Sequence, residues 1–323
     1  METTKKSKRH QIWEAGWHNA FLEKFTGEDV QSIIQVKEGA SKAPDTSINI
    51  SLLLPRSESK MLDEINLVSF PVALRSVRKL CCSKARNTAE NMWKDAQPFL
   101  AEWLGAYIDR SLFAVLTGTL PKGAECPLAK PLVAPTENRL LVAGGGSSES
   151  DITAADTFNT SLISAAKRFA LADEDMAVRS VTVNGKEIYV MVIDPWQARD
   201  LKNDPKWLEA QKHANICGEE PPIFSGALGI YDGVVIHESN RVPRTATGAS
   251  NTKVGHALFL GAQAAVFVEG ENPRWVEKKL DDSNKYGIYF ECVIGVRKSQ
   301  FKYDGRNNED FGVINVLTSS VDD

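Results

Sequence analysis

The sequence contains no run of about 18 apolar residues, so it has no segment typical of a membrane-spanning helix. Its first ten residues are polar and basic, and they lack the apolar region of a secretory signal. An excess of basic residues is also absent, because 38 lysines and arginines face 42 acidic residues and leave a net charge of −4. We therefore do not expect a membrane protein, a secreted protein or a bulk nucleic-acid binder.

Cysteine and histidine are scarce, with five of each in 323 residues. The cysteines are scattered, and the adjacent pair Cys81 and Cys82 lacks the spacing of structural zinc ligands. The histidines show no metal-pair spacing, and His237-Glu238 lacks the second histidine of a zinc-protease helix. We expect reduced, mostly buried thiols in a cytoplasmic compartment, a structural role for His237, and no metal or other cofactor.

Motifs for catalysis are weak. Ser164-Ala-Ala-Lys167 has the Ser-x-x-Lys spacing of acyl-transfer enzymes, but the same spacing occurs at three other places in the chain. The triplet Gly144-Gly-Gly146 is not followed by the Lys-Ser or Lys-Thr of a phosphate-binding loop. The sequence therefore predicts a protein that is not an enzyme. A hydrolase that uses a Ser-x-x-Lys pair is kept as an alternative.

The composition is that of a folded protein, with 42% apolar and 25% charged residues. A chain of 323 residues can form one large or two moderate domains. Residues 1–35 are predicted to be an arm in which apolar side chains recur at helical spacing. This arm is either a solvated tail with a short amphipathic helix or an extension that docks on a neighbouring subunit. Its apolar residues are Ile12, Trp13, Trp17, Phe21 and Phe25.

A long hairpin is predicted over residues 45–80. Ile48, Ile50 and Leu52 alternate with polar residues, which is typical of a strand with one apolar face. The mostly polar residues 55–66 are predicted to be the loop at its tip, and residues 67–77 the returning strand. Because a two-stranded projection is marginal alone, the hairpin must lie on its own domain or on a neighbour.

Helical spacing is strongest over residues 84–117, roughly 50 Å of helix at 1.5 Å per residue. Pro98 predicts a break, and Gly118 predicts the end. Residues 119–151 are predicted to be a long surface connection with a flexible glycine tract. A second helix is predicted over 153–171, with a buried face formed by Ala154, Phe158, Leu162, Ala165, Ala166 and Phe169, and a helical segment over 195–213.

The centre of the fold is predicted at residues 181–243. Asn184-Gly185 is typical of a tight hairpin turn, and the apolar strand 188–193 that follows should be covered on both faces. Asp194-Pro195 ends that strand. A second buried strand is predicted at 234–236.

After that centre, residues 256–268 are apolar enough to be fully buried, as either strand or helix. Residues 269–285 are charged and are predicted to be mobile. The chain closes with two predicted strands, 289–297 and 311–318.

Several blocks of sequence, in the same order, resemble a known family. They are Asp-Pro-Trp-x-x-Arg-Asp-Leu at 194–201, Pro-Ile-Phe-Ser-Gly-Ala-Leu-Gly at 222–229, and Tyr-Asp-Gly-Val-Val-Ile-His-Glu-Ser at 231–239. Asp-Phe-Gly-Val-Ile-Asn at 310–315 closes the series. Together they are similar to the major capsid proteins of N4-like tailed phages. The resemblance extends from the helix near Ala85 to Val316 and implies an α+β fold of the Hong Kong 97 type, the HK97-like capsid fold.

That resemblance implies a domain organisation. It comprises an N-terminal arm (1–35), an E-loop hairpin (36–80), a peripheral domain with a long spine helix (81–178), an axial domain (179–276) and a return to the peripheral domain (277–323). It also implies a structural, self-assembling head protein whose icosahedral shell encloses double-stranded DNA. An encapsulin-like shell around enzymes is kept as an alternative.

The partners that the resemblance implies are copies of this chain, arranged as hexamers and pentamers. Separate scaffolding, portal and decoration proteins are further candidates, and the packaged DNA would be contacted non-specifically. We expect assembly in the host bacterial cytoplasm and residence in the virion. The candidate inter-subunit contact residues are Trp13, Trp17, Phe21, Ile48, Ile50, Leu52, Lys60, Phe70, Arg199, Tyr231 and Arg241.

Overall fold

The computed structural model describes twelve stretches of the chain. They are residues 25–27, 31–37, 47–53, 59–66, 68–73, 89–120, 132–172, 176–183, 186–213, 226–280, 285–302 and 308–322. Within these stretches the α-helices are α1 (Ala89–Thr117), α2 (Thr160–Leu171), α3 (Pro195–Asn203) and α4 (Pro205–His213). Strands and helices are mixed, as an α+β fold requires. None of the helices in the described part of the chain has the length and apolar content that a membrane span requires.

The strands form two large sheets and two small hairpin sheets within the described residues. Their bounds are β1 (Thr26–Gly27), β2 (Ile34–Lys37), β3 (Ser47–Leu53), β4 (Ser59–Asn66), β5 (Val68–Ala73), β6 (Leu140–Val142), β7 (Val181–Val183), β8 (Lys186–Ile193), β9 (Ala227–Tyr231), β10 (Val234–Glu238), β11 (Arg244–Thr245), β12 (Val254–Leu260), β13 (Ala265–Leu280), β14 (Lys285–Lys298), β15 (Gln300–Lys302), β16 (Asn308–Asp310) and β17 (Val313–Ser319).

The larger sheet has the strand order β6-β17-β12-β8-β10-β9, with β7 paired to β8 and β11 to β12. It carries the predicted central stretch. β7 and β8 pair antiparallel with Val183 opposite Lys186, which confirms a hairpin with two residues between its strands. Asp194 and Pro195 end β8 and begin α3, because the Asp194 side chain accepts hydrogen bonds from the amides of Trp196 and Gln197.

Both faces of this sheet are buried, as its apolar strands predict. Val190 and Val192 of β8 lie in one core cluster with α1 residues such as Ile108. Met191 and Ile193 lie on the opposite face, in a second cluster with residues of α2, α3 and α4. The alternation follows from the two-residue period of a strand. One hydrophobic strand therefore supplies two cores.

The second large sheet has five strands, in the order β1-β2-β13-β14-β5. The buried stretch 254–268 is strand rather than helix, which settles the alternative left open by its composition. It comprises β12 of the larger sheet, a turn at 261–264 and the start of β13 in this sheet. The prediction of a mobile charged stretch at 269–285 was wrong for residues 269–280, which pair with β14 as part of β13, with bulges between Glu269 and Arg274. Residues 281–284 lie outside the described residues. Pairing along a ladder satisfies the backbone whatever the side chains are, so composition did not reveal it.

The hairpin near the amino terminus differs from its prediction. β3 pairs antiparallel with β4, and the first pair at the tip is Leu53 with Ser59. The returning strand is therefore 59–66, a stretch that was predicted as loop because it is polar. Residues 68–73, predicted to return in the hairpin, pair instead with β14 as β5. Polarity was misleading because a two-stranded sheet need not bury both faces.

Helix α1 runs without interruption through Pro98, so the predicted break was wrong. Proline removes one backbone hydrogen bond, and the deep burial of Leu104, Ile108 and Leu112 further along the helix offsets that cost. The helix has 29 residues, or about 43 Å at 1.5 Å per residue. Gly118 ends it with φ +67°, as predicted.

The predicted surface connection was wrong for residues 139–143, whereas residues 144–151 are exposed or half-buried. Strand β6 pairs parallel with β17 at the edge of the larger sheet, and Arg139 is 2% exposed. Gly144 and Gly145 adopt positive φ angles that allow the chain to turn directly after β6. The glycine tract is therefore an ordered turn that follows β6.

Helix α2 begins at Thr160, later than predicted, because the side chain of Asn159 caps it. Its buried residues are Thr160, Ile163, Ala166 and Ala170, whereas Phe169 is 36% exposed. Phe158 and Ala166 are buried as predicted. The helical period then places Ile163 and Ala170, rather than Leu162 and Phe169, on the buried face.

The predicted arm overlaps the folded sheet at its carboxyl end. Phe25, Ile33 and Ile34 are buried in the core, and β2 pairs parallel with β13. The first 24 residues lie outside the described residues.

Candidate functional site

The Ser-x-x-Lys pair on α2 is arranged as a structural contact. Lys167 Nζ lies 2.9 Å from Asp232 Oδ1 and 2.6 Å from the Asp232 carbonyl oxygen. Ser164 Oγ donates to Asp232 Oδ2 at 3.1 Å. Both side chains bind the turn between β9 and β10, where Asp232 and Gly233 have positive φ angles. The serine proton is directed to a carboxylate, so the geometry does not support a Ser–Lys nucleophile.

A buried ion pair lies where β14 meets β16. Lys298 Nζ is 2.7 Å from Asp310 Oδ2, and the two side chains are 2% and 0% exposed. Gln300 donates to the other carboxylate oxygen at 2.9 Å, and Lys298 also donates to the Val133 carbonyl at 3.2 Å. Burial lowers the pKa of Lys298, and the Asp310 carboxylate offsets part of that shift. The pair ties the segment before β6 to the strands near the carboxyl end.

Arg139 reinforces this junction. Its Nε donates to the Asp310 carbonyl oxygen at 2.9 Å, and an Nη nitrogen donates to the Met176 carbonyl oxygen. A guanidinium that binds two separate backbone segments fixes their relative position. The junction is therefore a connection between chain segments and offers no free catalytic group.

Arg241 follows β10 and reaches helix α1. Its Nε lies 3.2 Å from Asp109 Oδ2, and Asp109 is fully buried. An Nη nitrogen donates to the Ala106 carbonyl oxygen at 2.9 Å. The arginine side chain remains 30% exposed. This predicted contact residue therefore links the larger sheet to α1 within one chain.

The guanidinium groups of Arg199 and Arg244 both lie over the indole ring of Trp196. Each guanidinium carbon is 5.3 Å from the ring centroid of Trp196. Arg199 donates to Asp200 at 2.9 Å and to the Val321 carbonyl oxygen at 3.2 Å, and Arg244 pairs with Asp322 at 2.7 Å. We call this group the tail clamp, because it holds the residues that follow β17.

His256 of β12 is a buried imidazole with a carboxylate close by. Its side chain is 1% exposed, and Nε2 lies 3.1 Å from Thr245 Oγ1 and 3.7 Å from Glu149 Oε1. Burial lowers the pKa of His256, and the carboxylates of Glu149 and Asp194 offset part of the shift. The imidazole is therefore neutral near pH 7, and its contact with Glu149 is not an ion pair.

His237 is fully buried on β10, as a structural histidine should be. Its ring meets that of Phe25 edge-on, with the centroids 5.2 Å apart. Within the described stretches, no group of three or more His, Cys, Asp or Glu side chains is placed to hold a metal ion.

The remaining predicted contact residues are not brought to one place. Trp13, Trp17 and Phe21 lie outside the described residues. Ile48, Ile50 and Leu52 occupy alternate positions of β3, and Lys60 faces Leu52 one pair from the hairpin tip. Phe70 is in β5 opposite Cys292, and Tyr231 ends β9 beside the turn at Asp232. β4 approaches β14 and β15, while β3 is the outer strand of its two-stranded sheet.

The comparisons with known proteins decide the family. A family model described as "Phage capsid protein" matches residues 65–322, and that span contains both large sheets except β1 and β2. The chain belongs to the phage capsid protein family. The major capsid protein of Pseudomonas phage KPP25 is 30% identical, with 96% of this chain and 93% of that protein covered.

Solved capsid structures have the same fold. The capsid of Ralstonia phage GP4 is similar with a TM-score of 0.76 and 29% identity, covering 94% of this chain and 92% of that chain. The capsid of cyanophage Pam1 has a TM-score of 0.66 at 18% identity, covering 100% and 94% of the two chains. The phage capsid protein described here therefore has the HK97-like capsid fold that the sequence blocks predicted.

Sequence reasoning missed the buried junction of Lys298 and Asp310 and the cluster around His256. In the sequence, Lys298 lies in a family block, and Asp310 lies in another block and in the acidic pair Glu309-Asp310. His256 is one of five histidines and begins the apolar stretch 256–268. A charged residue directly after a long apolar strand was the available signal, since such a residue is rarely buried without a partner. The partner of Lys298 could not be predicted from the sequence, because Asp310 lies on another strand.

Proposed function

We propose that this phage capsid protein is the major head protein, whose copies form an icosahedral shell of hexamers and pentamers around double-stranded DNA. The observation that carries the proposal is the family match over residues 65–322, together with a fold shared along nearly the whole chain with solved phage capsids. The family and these relatives favour a phage shell over the encapsulin alternative. The protein is a structural component of the virion.

The β3–β4 hairpin supports assembly through neighbours. It is a separate two-stranded sheet, and such a pair is marginally stable alone. The side of β3 away from β4 has no strand partner among the described residues. An unpaired strand edge is a place where another chain can bind. We therefore assign Ile48, Ile50 and Leu52 to contacts with an adjacent subunit, together with Lys60 near the tip.

The other proposed contact residues divide into two groups. Arg199 and Arg241 already bind partners within the chain, and we assign them the added role of presenting a fixed surface to a neighbour. Trp13, Trp17, Phe21, Phe70 and Tyr231 remain proposed contacts. The arm, hairpin, peripheral and axial domain boundaries given above remain proposals. β17 pairs with β12, so the last strand lies in the sheet of the proposed axial domain.

The proposed activity is structural, with no catalytic step and no cofactor. The Ser164–Lys167 arrangement supports this, because both side chains bind the Asp232 turn. Separate scaffolding, portal and decoration proteins are proposed partners. The net charge of −4 favours non-specific rather than tight contact with packaged DNA. Assembly is proposed to take place in the host bacterial cytoplasm.

Electron microscopy and sedimentation velocity of the purified protein test the proposal. We expect closed shells, or hexamers and pentamers that convert to shells when a scaffolding protein is co-expressed. The variant Ile50→Asp in β3 should prevent closure. A matched control, Thr182→Asp, places the same charge on an exposed position of β7 and should leave assembly intact. A stable monomer or dimer under all these conditions would exclude the proposed function.

A further inference from the structure

The buried imidazole of His256 lies between two strands of the larger sheet, β12 and β11, and the segment that follows β6. It stands on β12, and its Nε2 is 3.1 Å from Thr245 Oγ1 on β11. The Glu149 carboxylate lies on the other side of that hydroxyl and accepts from Thr245 Oγ1 at 3.3 Å. Thr247 also donates to Glu149. Glu149 therefore reaches β12 through a layer of threonine hydroxyls.

Glu149 belongs to residues 143–152, which we call the glycine segment. The segment follows β6 and ends at Ile152, which is fully buried with Val254 and Leu317. The Ala249 amide donates to the Ile152 carbonyl oxygen at 2.9 Å. The glycine segment is thus attached at its end by packing and one backbone bond, and near its middle by the Glu149 carboxylate. Glu149 is 32% exposed, so water can reach this attachment from outside.

The charged groups around the ring are already engaged. Asp194, on the α3 side, accepts two backbone amides and the Ser320 hydroxyl at 2.8 Å, and Arg244 acts on it as a nearby positive charge. Glu149, from the glycine segment, is 3.7 Å from Nε2, beyond hydrogen-bond distance. A protonated ring would therefore meet no free carboxylate at hydrogen-bond distance, although both carboxylates attract it.

We propose that His256 and Glu149 form a proton-sensitive latch. While the imidazole is neutral, the latch holds the glycine segment against β12. When the imidazole takes up a proton, the charged ring requires water, and the glycine segment opens to admit it. The opening is local, because β12 itself stays paired with β8 and β17 on both sides.

The direction follows from burial. Burial lowers the pKa of His256 below the ordinary value of 6.5, and Glu149 and Asp194 recover only part of the shift. An exposed imidazole in the opened form binds a proton more readily than the closed form does. The closed form is therefore favoured above pH 6.5 and loses that advantage as pH falls toward the lowered value. Had attraction to the carboxylates prevailed, acid would tighten the segment instead.

Amide hydrogen exchange read by mass spectrometry tests the latch in the full-length protein between pH 7.5 and 5.0. After correction for the intrinsic exchange rate, protection of residues 143–152 should fall about tenfold over this range, as one added proton permits. His256→Gln should remove the pH dependence. The control His237→Gln changes a second buried histidine, on β10, and should leave the response of the glycine segment unchanged.

Glu149→Gln keeps the test decisive if the His256 variant fails to fold. Glutamine keeps an oxygen that can accept from Thr245 and Thr247, so the attachment of the segment is retained. The substitution removes only the negative charge that raises the pKa of His256, so opening should require a lower pH than in the unaltered protein. Protection of residues 143–152 that rises on acidification would overturn the proposal. So would a pH response that persists in His256→Gln, or a midpoint that is unchanged or moves upward in Glu149→Gln.

Discussion

Replacing Lys298 by methionine should destabilise the unassembled chain strongly. The change keeps the side-chain volume similar but leaves Asp310, which is fully buried, without its cationic partner. Removing one member of a buried ion pair costs about 3–5 kcal/mol, since the remaining charge is desolvated and uncompensated. The hydrogen bond from Gln300 to Asp310 remains and places the expected loss toward the lower end of that range.

A surface pair gives the matched control. Lys202 Nζ lies 3.4 Å from Glu238, with side chains that are 54% and 36% exposed. Lys202→Met should cost no more than about 1 kcal/mol, because exposed pairs are screened by water and salt. A double variant, Lys298→Met with Asp310→Leu, should recover much of the loss, since it removes both buried charges together.

Urea unfolding of the unassembled protein, followed by tryptophan fluorescence, measures all four proteins. Unfolding free energies are compared at pH 7, with the slopes checked for equality so that the differences report stability. A loss in Lys298→Met that is no larger than in Lys202→Met would refute the reasoning. A double variant that is even less stable than the single variant would refute it too.

Three further predictions concern single contacts. Arg241→Ala should lower the unfolding free energy of the unassembled chain by about 1–3 kcal/mol, because the buried Asp109 carboxylate loses its contact with the guanidinium. Unchanged stability with failed assembly would assign Arg241 to the subunit interface alone. Gly118→Ala should cost clearly more in thermal unfolding than Gly145→Ala. Both glycines have positive φ, worth about 1–2 kcal/mol, but a Cβ at Gly118 would also meet the backbone of Val133 and Ala134, whereas at Gly145 it meets open space. Equal losses would contradict this. Asp204→Ala should cost about 1 kcal/mol near neutral pH, because the bonds from Asp204 to Thr160 at the start of α2 are lost. Burial raises the pKa of Asp204, but those hydrogen bonds lower it by more, so that it lies below its ordinary value of 3.8. The cost should therefore be present above pH 4 and disappear when unfolding is measured at a pH below the lowered pKa.

The larger sheet was predictable because its strands are marked locally. Residues 188–193 are apolar at every position, and Asn184-Gly185 and Asp194-Pro195 mark the two ends. The structure also places these residues on two buried faces. The family blocks then gave the fold and the function, because several blocks in the same order are specific where one is not.

The second sheet was harder to predict because its strands depend on pairing. Residues 269–280 are charged and resemble a loop, yet they pair with β14. The same reason explains 59–66 in the hairpin. A backbone ladder stabilises a strand whatever its polarity, so composition is informative only where the strand is also buried. The same holds for the junction of Lys298 and Asp310, whose partners are brought together by topology.

The pairing of β6 with β17 has a consequence during protein synthesis. Leu140 pairs with Asn315, so the partners are separated by 175 residues along the chain, the difference of their two numbers. A ribosome that adds about 5–20 residues per second takes roughly 10–35 s to cover that distance. For that time β6 has no strand partner. The β17-facing edge of β12 waits for a shorter time, because Ala257 and its partner Val316 are 59 residues apart, which takes roughly 3–12 s. Nascent copies therefore expose unpaired strand edges to one another during synthesis, so a chaperone that covers such edges should increase the yield of folded subunits.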